Sequence, residues 1–262
     1  NVNYGTIYAF IILKMKQIFF IILGVWFLTS TMGCKPDPPI KTEISTMDFT
    51  INHLYGSTDF KLDEEYMLPS SEQVKFSRYA YLLSDFYLID ESGFKIALDG
   101  QYLYADVRSS NTHMTLTNIP KGIYSGIGFS IGLDSNTNHG NPNQYESDHP
   151  LSPINNSLHW SWQGGYIFTA IEGKTIANNE SFIFHLAGAM NKVDFELPYH
   201  FSKGDDALHA ILDYNIEEVF KNPELYNIET DGSSTHKVTD SVTLKLFNNM
   251  KDVFTISSVE IL

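Results

Sequence analysis

Short runs in which apolar and polar residues alternate recur along this chain and limit its fold more than any other feature. One run extends from Tyr79 to Ile89, and another covers Gly122–Ile131. Successive side chains of a strand point to opposite faces of a sheet, so alternation of this kind predicts half-buried strands. Turn pairs at Ser92-Gly93 and Asp99-Gly100 follow at hairpin spacing. The sequence therefore predicts a largely antiparallel β-structure.

Most of the remaining chain continues this pattern, with little helix. Further strands are predicted at Phe49–His53, Gly165–Phe168, Ser181–Leu186, Lys192–Leu197, Leu208–Ile216 and Phe254–Ile256. Val242, Leu246 and Met250 are spaced by four, which predicts a helix of about three turns, and Glu217–Lys221 predicts a short helical turn. We therefore expect an all-β fold: a mostly antiparallel β-sandwich or open barrel with one or two small peripheral helices.

A polar loop rich in Asn, Ser and Pro interrupts the strand pattern between Asp134 and Ser157. Loops of this length inside compact domains are usually functional or disordered. The loop carries two histidines and leads directly into a segment with two tryptophans. It is therefore the first place to look for a functional site.

The first residues resemble a secretory signal rather than part of the fold. From Met15, the expected start codon, a lysine is followed by an apolar stretch from Ile18 to Leu28 and then by small and polar residues. A transmembrane anchor from Ile7 to Leu28 is the alternative, but lysines near its middle would each cost on the order of 2.5–3.5 kcal/mol there. We expect residues 1–33 to be upstream sequence plus a lipoprotein signal peptide.

Cys34, the only cysteine in the chain, stands where the apolar stretch ends, so no internal disulfide can form. Its context, Thr31-Met32-Gly33-Cys34, resembles the bacterial lipobox, in which the cysteine becomes the lipidated first residue of the mature protein. We therefore expect a lipidated Cys34, a tether at 34–46 and a β domain at 47–262. The protein is then exported and held by its lipid to a bacterial membrane, the outer membrane, on its periplasmic or surface face.

The chain is acidic, with a formal net charge of −14. Residues 1–33 carry two lysines and no acidic residue, so the mature chain is two units more negative, at −16. Such a charge repels nucleic acid, which we exclude as a partner. The sequence also contains no Gly-rich phosphate loop, haem-attachment motif, HExxH motif or nucleophile elbow. It therefore predicts no enzyme of those classes.

Histidines and tryptophans are concentrated in and after the polar loop. His139 and His149 lie in the loop, and His159 precedes Trp160-Ser-Trp162. Strand alternation places the two indoles on one face and His159 on the other. Imidazoles bind copper and zinc, so this segment is a candidate transition-metal site. The alternative is that the tryptophans are core residues and the histidines are surface or core residues.

Several segments together resemble the MbnP family of copper-binding proteins. The most specific is the WxW motif followed by GYxF, within Leu158–Phe168. The others are Tyr124–Leu133, His149-Pro-Leu151, Glu172-Gly173 and Phe184-His-Leu186, with flanking parts at Ser77–Ser84 and Asn248–Phe254. The resemblance covers nearly all of the mature chain. It implies a periplasmic or surface protein with a β-rich fold that binds one copper ion and is not an enzyme.

The resemblance also implies a chemical modification and a partner. In the family a tryptophan of the WxW motif is oxidised to kynurenine by a di-haem enzyme related to cytochrome c peroxidases, and the modified residue helps to hold the metal. Carried over, this residue is Trp160 or Trp162, with Trp160 preferred. The implied metal ligands are, first, His53 and His185 and, second, His159 and the loop histidines His139 and His149. This chain departs from the family in having Leu-Ala-Gly, and not Leu-Gly, after His185.

A second class of function fits the same aromatic residues. The chain contains 15 Tyr and 18 Phe, and aromatic side chains also contribute to contacts with sugars and protein partners. An outer-surface β-sandwich that binds glycan or protein is therefore the alternative to a copper protein. A neighbouring gene for a di-haem peroxidase-like protein would favour the copper function, and a polysaccharide-utilisation cluster would favour the alternative.

Overall fold

Two β-sheets pack face to face in this protein. The computed structural model describes residues 44–109, 112–161 and 164–262. Within them the strands are β1 (Ile44–Tyr55), β2 (Thr58–Asp59), β3 (Glu65–Met67), β4 (Gln73–Asp90), β5 (Lys95–Ala97), β6 (Leu103–Asp106), β7 (His113–Pro120), β8 (Gly122–Ile131), β9 (His159–Ser161), β10 (Gly165–Thr175), β11 (Ser181–Ala187), β12 (Val193–Lys203), β13 (Leu208–Asn215), β14 (Ser234–Thr235) and β15 (Phe254–Ile261).

Short helices lie at the edges of the sheets. The described α-helices are α1 (Ser135–Asn138), α2 (Pro153–Asn156), α3 (Ile228–Asp231) and α4 (Ser241–Asn249). The described 3-10 turns are Val107–Ser109, Pro142–Gln144, Ala189–Asn191, Ile216–Phe220 and Met250–Asp252. No helix within these ranges combines the length and the apolarity needed to span a membrane.

The two sheets differ in size, and each contains one parallel strand pair. The smaller sheet has the order β15-β13-β1-β2, with β7 also paired to β1. The larger sheet has the order β12-β8-β4-β10-β11-β14, with β3, β5 and β6 paired to β4 and β9 paired to β10. The parallel pairs are β1 with β13 and β11 with β14. The predicted β-sandwich, mostly antiparallel with small peripheral helices, is confirmed.

Aromatic side chains from the inner faces fill the space between the sheets. Phe49 of β1 meets Phe86 of β4 edge to face, with ring centroids 5.5 Å apart, and Tyr81 of β4 stacks on Tyr214 of β13 at 5.0 Å. Such pairs contribute about 0.5–1.5 kcal/mol each beyond the burial of their area. On β13 the buried residues are Leu208, Ala210, Leu212 and Tyr214. The alternation seen in the sequence therefore separates core-facing from outward-facing side chains.

Helix α4 covers one end of the larger sheet. It begins after Asp240, whose side chain accepts a hydrogen bond from the Thr243 backbone N–H. Val242 and Leu246 are buried on its inner face, and Met250 follows directly after the helix and is also buried. The spacing of four predicts a helix here, and this prediction is confirmed.

Buried amide side chains organise the polar loop at residues 134–157. Asn138 and Asn156 are fully buried. The side-chain oxygen of Asn138 accepts a hydrogen bond from the backbone N–H of Tyr166, and that of Asn156 accepts one from Leu158. These bonds satisfy backbone donors inside the protein. These bonds fix the loop to the start of β10, and β9, which follows the loop, pairs with β10.

A bulge in β10 shifts the alternation of its side chains between the two faces of the sheet. Ile167 pairs with Ala187 of β11, whereas Thr169 pairs with the adjacent Leu186, which leaves Phe168 as the extra residue. Before the bulge β10 pairs with β9, and after it β10 lies between β4 and β11. A bulge bends the strand and offsets the alternation of its side chains. The two halves of β10 consequently carry different parts of the site described below.

The start of the described chain bears on the predicted domain limits. Strand β1 already begins at Ile44, within the range 34–46 predicted as a tether. Residues 42–262 form one compact unit. The predicted signal segment and Cys34 lie outside the described residues.

Candidate functional site

His185 lies on the outer face of the larger sheet, away from the core. Its neighbours along β11, Phe184 and Leu186, are fully buried, whereas the side chain of His185 is 17% exposed. Across the sheet His185 pairs with Ala170 of β10, which pairs with Ala80 of β4. Paired residues in adjacent strands point to the same face. The outer face of β4, β10 and β11 is therefore the floor of this site.

A carboxylate and a guanidinium hold the imidazole of His185. The Nε2 atom of His185 lies 3.0 Å from Oε1 of Glu172, and Nη1 of Arg78 lies 3.1 Å from the same oxygen. Burial raises the pKa of the Glu172 carboxyl, but the hydrogen bonds from His185 and Arg78 outweigh burial and hold its pKa below the ordinary value. Glu172 is therefore an anion at neutral pH, and Nε2 of His185 carries the hydrogen that it accepts.

The other ring nitrogen of His185 lacks a partner among the residues that the structure describes. Its Nδ1 atom is buried and makes no hydrogen bond to any group in the described part of the chain. The histidine tautomer that carries its hydrogen on Nε2 presents a lone pair at Nδ1. A buried acceptor without a partner costs roughly 1–3 kcal/mol, so such an atom calls for an explanation.

Trp160 and His236 enclose the ring of His185. The ring centroid of His236 is 4.9 Å from that of His185, and that of Trp160 is 6.4 Å from it. Trp160 and His236 are themselves stacked at 6.3 Å. Trp160 is partly buried, and His236 is exposed. We call Trp160, Glu172, His185 and His236, with Arg78 behind them, the His185 cluster.

Strand pairing brings these distant residues together. In the parallel pair of β11 with β14, Phe184 pairs with Thr235. His185 is the next residue of β11 and His236 directly follows β14, so the two imidazoles lie side by side. Trp160 lies in β9, which pairs with the first half of β10. Trp160 and the two imidazoles thus meet at one end of the larger sheet.

A cavity of about 680 Å³ opens beside the His185 cluster. Both rings that contact His185, those of Trp160 and His236, line it. His139 and Met190 line it as well, and both are exposed. The cavity thus gives solvent access to the two rings that cover His185.

His53 lies in a different part of the molecule. Its Nε2 atom is 2.9 Å from the Tyr81 hydroxyl, and its ring packs beside Tyr214 between the sheets. Burial lowers the pKa of His53 to about 4. Since His53 faces the core and His185 faces outward, the two lie on opposite sides of the larger sheet. The structure therefore does not bring together the pair of ligands that the resemblance implies.

Two other predicted ligands also lie apart from the cluster. His159 packs edge to face against Tyr166 at 4.7 Å, and burial lowers its pKa. His149 stacks on Tyr145 at 4.4 Å, and its Nδ1 accepts a hydrogen bond from the Leu151 backbone N–H. Burial lowers the pKa of His149, although the nearby Asp148 charge acts in the opposite direction.

The sequence predictions thus have mixed outcomes at the site. Trp160 and His185 meet, and His139 reaches the adjoining cavity, whereas Trp162 lies outside the described residues. His236 was not predicted, because it belongs to Ser-Ser-Thr-His, which has neither a strand pattern nor a motif. In the described ranges no group of three or more His, Cys, Asp or Glu side chains is placed to hold a metal ion. The His185 cluster offers two imidazoles and one indole.

Comparisons with known proteins agree with this architecture. A family model described as MbnP matches residues 44–240, a range that contains the whole His185 cluster. Among solved structures the chain is similar to MbnP from Methylosinus trichosporium, with a TM-score of 0.53 and 15% identity over 84% of this chain and 99% of that chain. At this identity the similarity concerns the fold alone. A search of curated proteins gives no match.

Proposed function

This chain belongs to the MbnP family, and on that premise we propose that it is a copper-binding protein whose site is the His185 cluster. The two imidazoles of His185 and His236 bind one copper ion, together with a modified Trp160. The family is not a known class of enzymes. The protein accordingly serves copper acquisition, storage or handover and has no catalytic turnover of its own.

The free Nδ1 atom of His185 is the observation that carries this proposal. Metal-binding histidines usually donate their second ring N–H to a carboxylate or carbonyl, which fixes the tautomer and the ring orientation. His185 has this arrangement, since Nε2 is held by Glu172 and Nδ1 has no hydrogen-bond partner among the described residues. His236 supplies the second imidazole, with its ring centroid 4.9 Å from that of His185. Imidazole is a suitable ligand for copper.

Trp160 completes the site after oxidation. An unmodified indole N–H donates hydrogen bonds and has no lone pair for a metal. Oxidative opening of the five-membered ring adds two oxygen atoms, and hydrolysis then releases one ring carbon as formate. The product, kynurenine, has an aromatic amine beside a ketone. The oxidant is delivered by an external di-haem, cytochrome c peroxidase-like partner, since the chain has no haem-attachment motif. Trp160 lines the open cavity, so a partner can approach it from solvent.

The proposed location of the protein rests on the residues that precede the β domain. Lipid on Cys34 holds the domain to the outer membrane, on its periplasmic or surface face. Cells acquire copper across this boundary. Family membership gives no support to the alternative of a glycan- or protein-binding module.

Removal of either imidazole tests the proposal. We expect His185→Ala and His236→Ala to lose most bound copper, measured as metal content and as competition with a chromophoric Cu(I) chelator, while the far-ultraviolet circular dichroism stays unchanged. His113→Ala is the matched control, because the His113 side chain is 57% exposed and lies on β7 of the other sheet. Unchanged copper stoichiometry in both variants would refute the proposed site.

A further inference from the structure

Met190 is an exposed thioether beside the proposed copper site. It is 75% exposed, although methionine is an apolar residue that is usually buried. It lines the same cavity as Trp160 and His236. His139, a residue of the polar loop, lines this cavity too.

Backbone and side-chain contacts link the segments that carry Met190, His139 and His236. The turn Ala189–Asn191, which carries Met190, lies against α1, and His139 directly follows α1. The side-chain amide of Asn191 donates to the backbone oxygen of Val238 at 2.6 Å, which ties this turn to the segment that follows His236. The walls of the cavity are therefore linked by direct contacts.

Gly188 shows how closely two of these walls approach. Its φ is +101°, in the region that favours glycine, and a Cβ atom there would lie 2.9 Å from Cβ of Val238. A side chain at position 188 would push the Met190 turn away from the His236 segment. The backbone segments that carry Met190 and His236 therefore approach each other closely at Gly188 and Val238.

The chemistry of this group suits a univalent copper ion. Thioether sulfur selects soft cations such as Cu(I), and imidazole binds them as well. The Nε2 atom of His139 has only a long contact, 3.3 Å, to the Asn138 amide, which a metal can displace. Exposed side chains such as Met190 and His139 favour rapid exchange of a bound metal ion. Nδ1 of His185, in contrast, is buried.

We infer that Met190, His139 and His236 form an outer transfer site for Cu(I) at the mouth of the cavity. Cu(I) is first bound by the Met190 thioether and the exposed imidazoles. It then exchanges these ligands for Nδ1 of His185, with His236 shared between the two sites. No electron or proton is transferred in this ligand exchange. The inference rests on the proposed function, since it gives the route by which the His185 cluster is loaded.

Uptake kinetics test this route. Cu(I) presented as a chromophoric chelate should load Met190→Leu and His139→Gln about tenfold more slowly than the parent protein, a change of ~1.4 kcal/mol in barrier height. The final copper content should be unchanged. Met67→Leu is the matched control, because Met67 is 56% exposed but lines a different cavity. Parent-like rates in Met190→Leu and in the Met190→Leu/His139→Gln double variant would overturn the transfer site.

A second measurement separates this inference from the proposed function. Ag(I), a redox-inert substitute for Cu(I), is titrated into His185→Ala protein with ¹³C-methyl-labelled methionine. The Met190 methyl resonance should shift, and that of Met67 should not. If Met190 shifts but the parent protein retains no copper, the transfer site stands and the proposed function fails. If Met190 does not shift, the transfer site is refuted whatever the copper content.

Discussion

His185 and Glu172 form a directed hydrogen bond in which Nε2 of the imidazole donates to Oε1 of the carboxylate over 3.0 Å. Arg78, at 3.1 Å from the same oxygen, keeps this carboxylate charged. The bond selects the tautomer whose lone pair is on Nδ1. Glu172 is thus a positioning residue for the proposed copper ligand.

We expect Glu172→Gln to weaken copper binding by roughly 10–100-fold, the usual cost of losing a carboxylate behind a metal-binding histidine. The amide is similar in size but neutral, and it no longer specifies the tautomer of His185. Chelator competition measures the affinity. Glu196→Gln serves as the control, since Glu196 is a surface residue paired with Lys95. Equal affinities in the two variants would show that Glu172 has only a structural role.

We expect His53 to affect stability and its pH dependence rather than copper binding. Its pKa is lowered to about 4 in the folded protein, against about 6.5 in the unfolded chain. Between these values only the unfolded state binds the proton, so stability falls as the pH drops from about 6.5 to 4. The loss amounts to roughly 3 kcal/mol.

Urea unfolding across this pH range measures the effect. His53→Gln removes the titrating group and keeps a polar partner for the Tyr81 hydroxyl, so its stability should fall less steeply with acid. Its copper content at neutral pH should match that of the parent protein. The buried role that the structure gives to His53 would be contradicted by either of two results. One is the same pH dependence of stability in the parent protein and in His53→Gln, and the other is loss of copper from His53→Gln.

We expect Trp160 to be the oxidised tryptophan. Protein produced together with the di-haem partner should acquire the mass and near-ultraviolet absorbance of one kynurenine. Trp160→Phe should abolish this change and tight copper binding, whereas Trp162→Phe should retain both. Peptide mass spectrometry locates the modification. The assignment fails if the modification persists in Trp160→Phe, or if fully unmodified protein binds copper tightly.

We expect Cys34→Ser to release the domain from the membrane fraction, because the thiol is the attachment point for lipid. Fractionation and intact-mass analysis test this, with Thr42→Ala in the predicted tether as the control. A Cys34→Ser protein that stays in the membrane fraction would rule out the lipid anchor.

Strands such as β13 and the main helix could be predicted from sequence because their signals are local. Alternation on β13 and the spacing of Val242, Leu246 and Met250 depend only on nearby residues. The orientation of His53 was predictable too, since it continues the alternation of Phe49 and Ile51, which are both buried. The resemblance implied a ligand role for His53 and did not indicate the face on which it lies.

His236 could not be found in this way. Its place beside His185 depends on the parallel pairing of β11 with β14, a strand of two residues, Ser234–Thr235. No local pattern encodes so short a pairing. The tautomer of His185 was equally hidden, since Glu172 and Arg78 come from two other strands.

The bulge at Phe168 makes this site sensitive to chain length. Trp160 depends on the half of β10 before the bulge, and His185 on the half after it. Deletion of this one residue would restore regular alternation and rotate one half of the strand relative to the other. The indole and the imidazoles would then be separated although every one of them is still encoded. Among natural variants, a single-residue indel in β10 is therefore expected to mark lost copper binding even where every proposed ligand is retained.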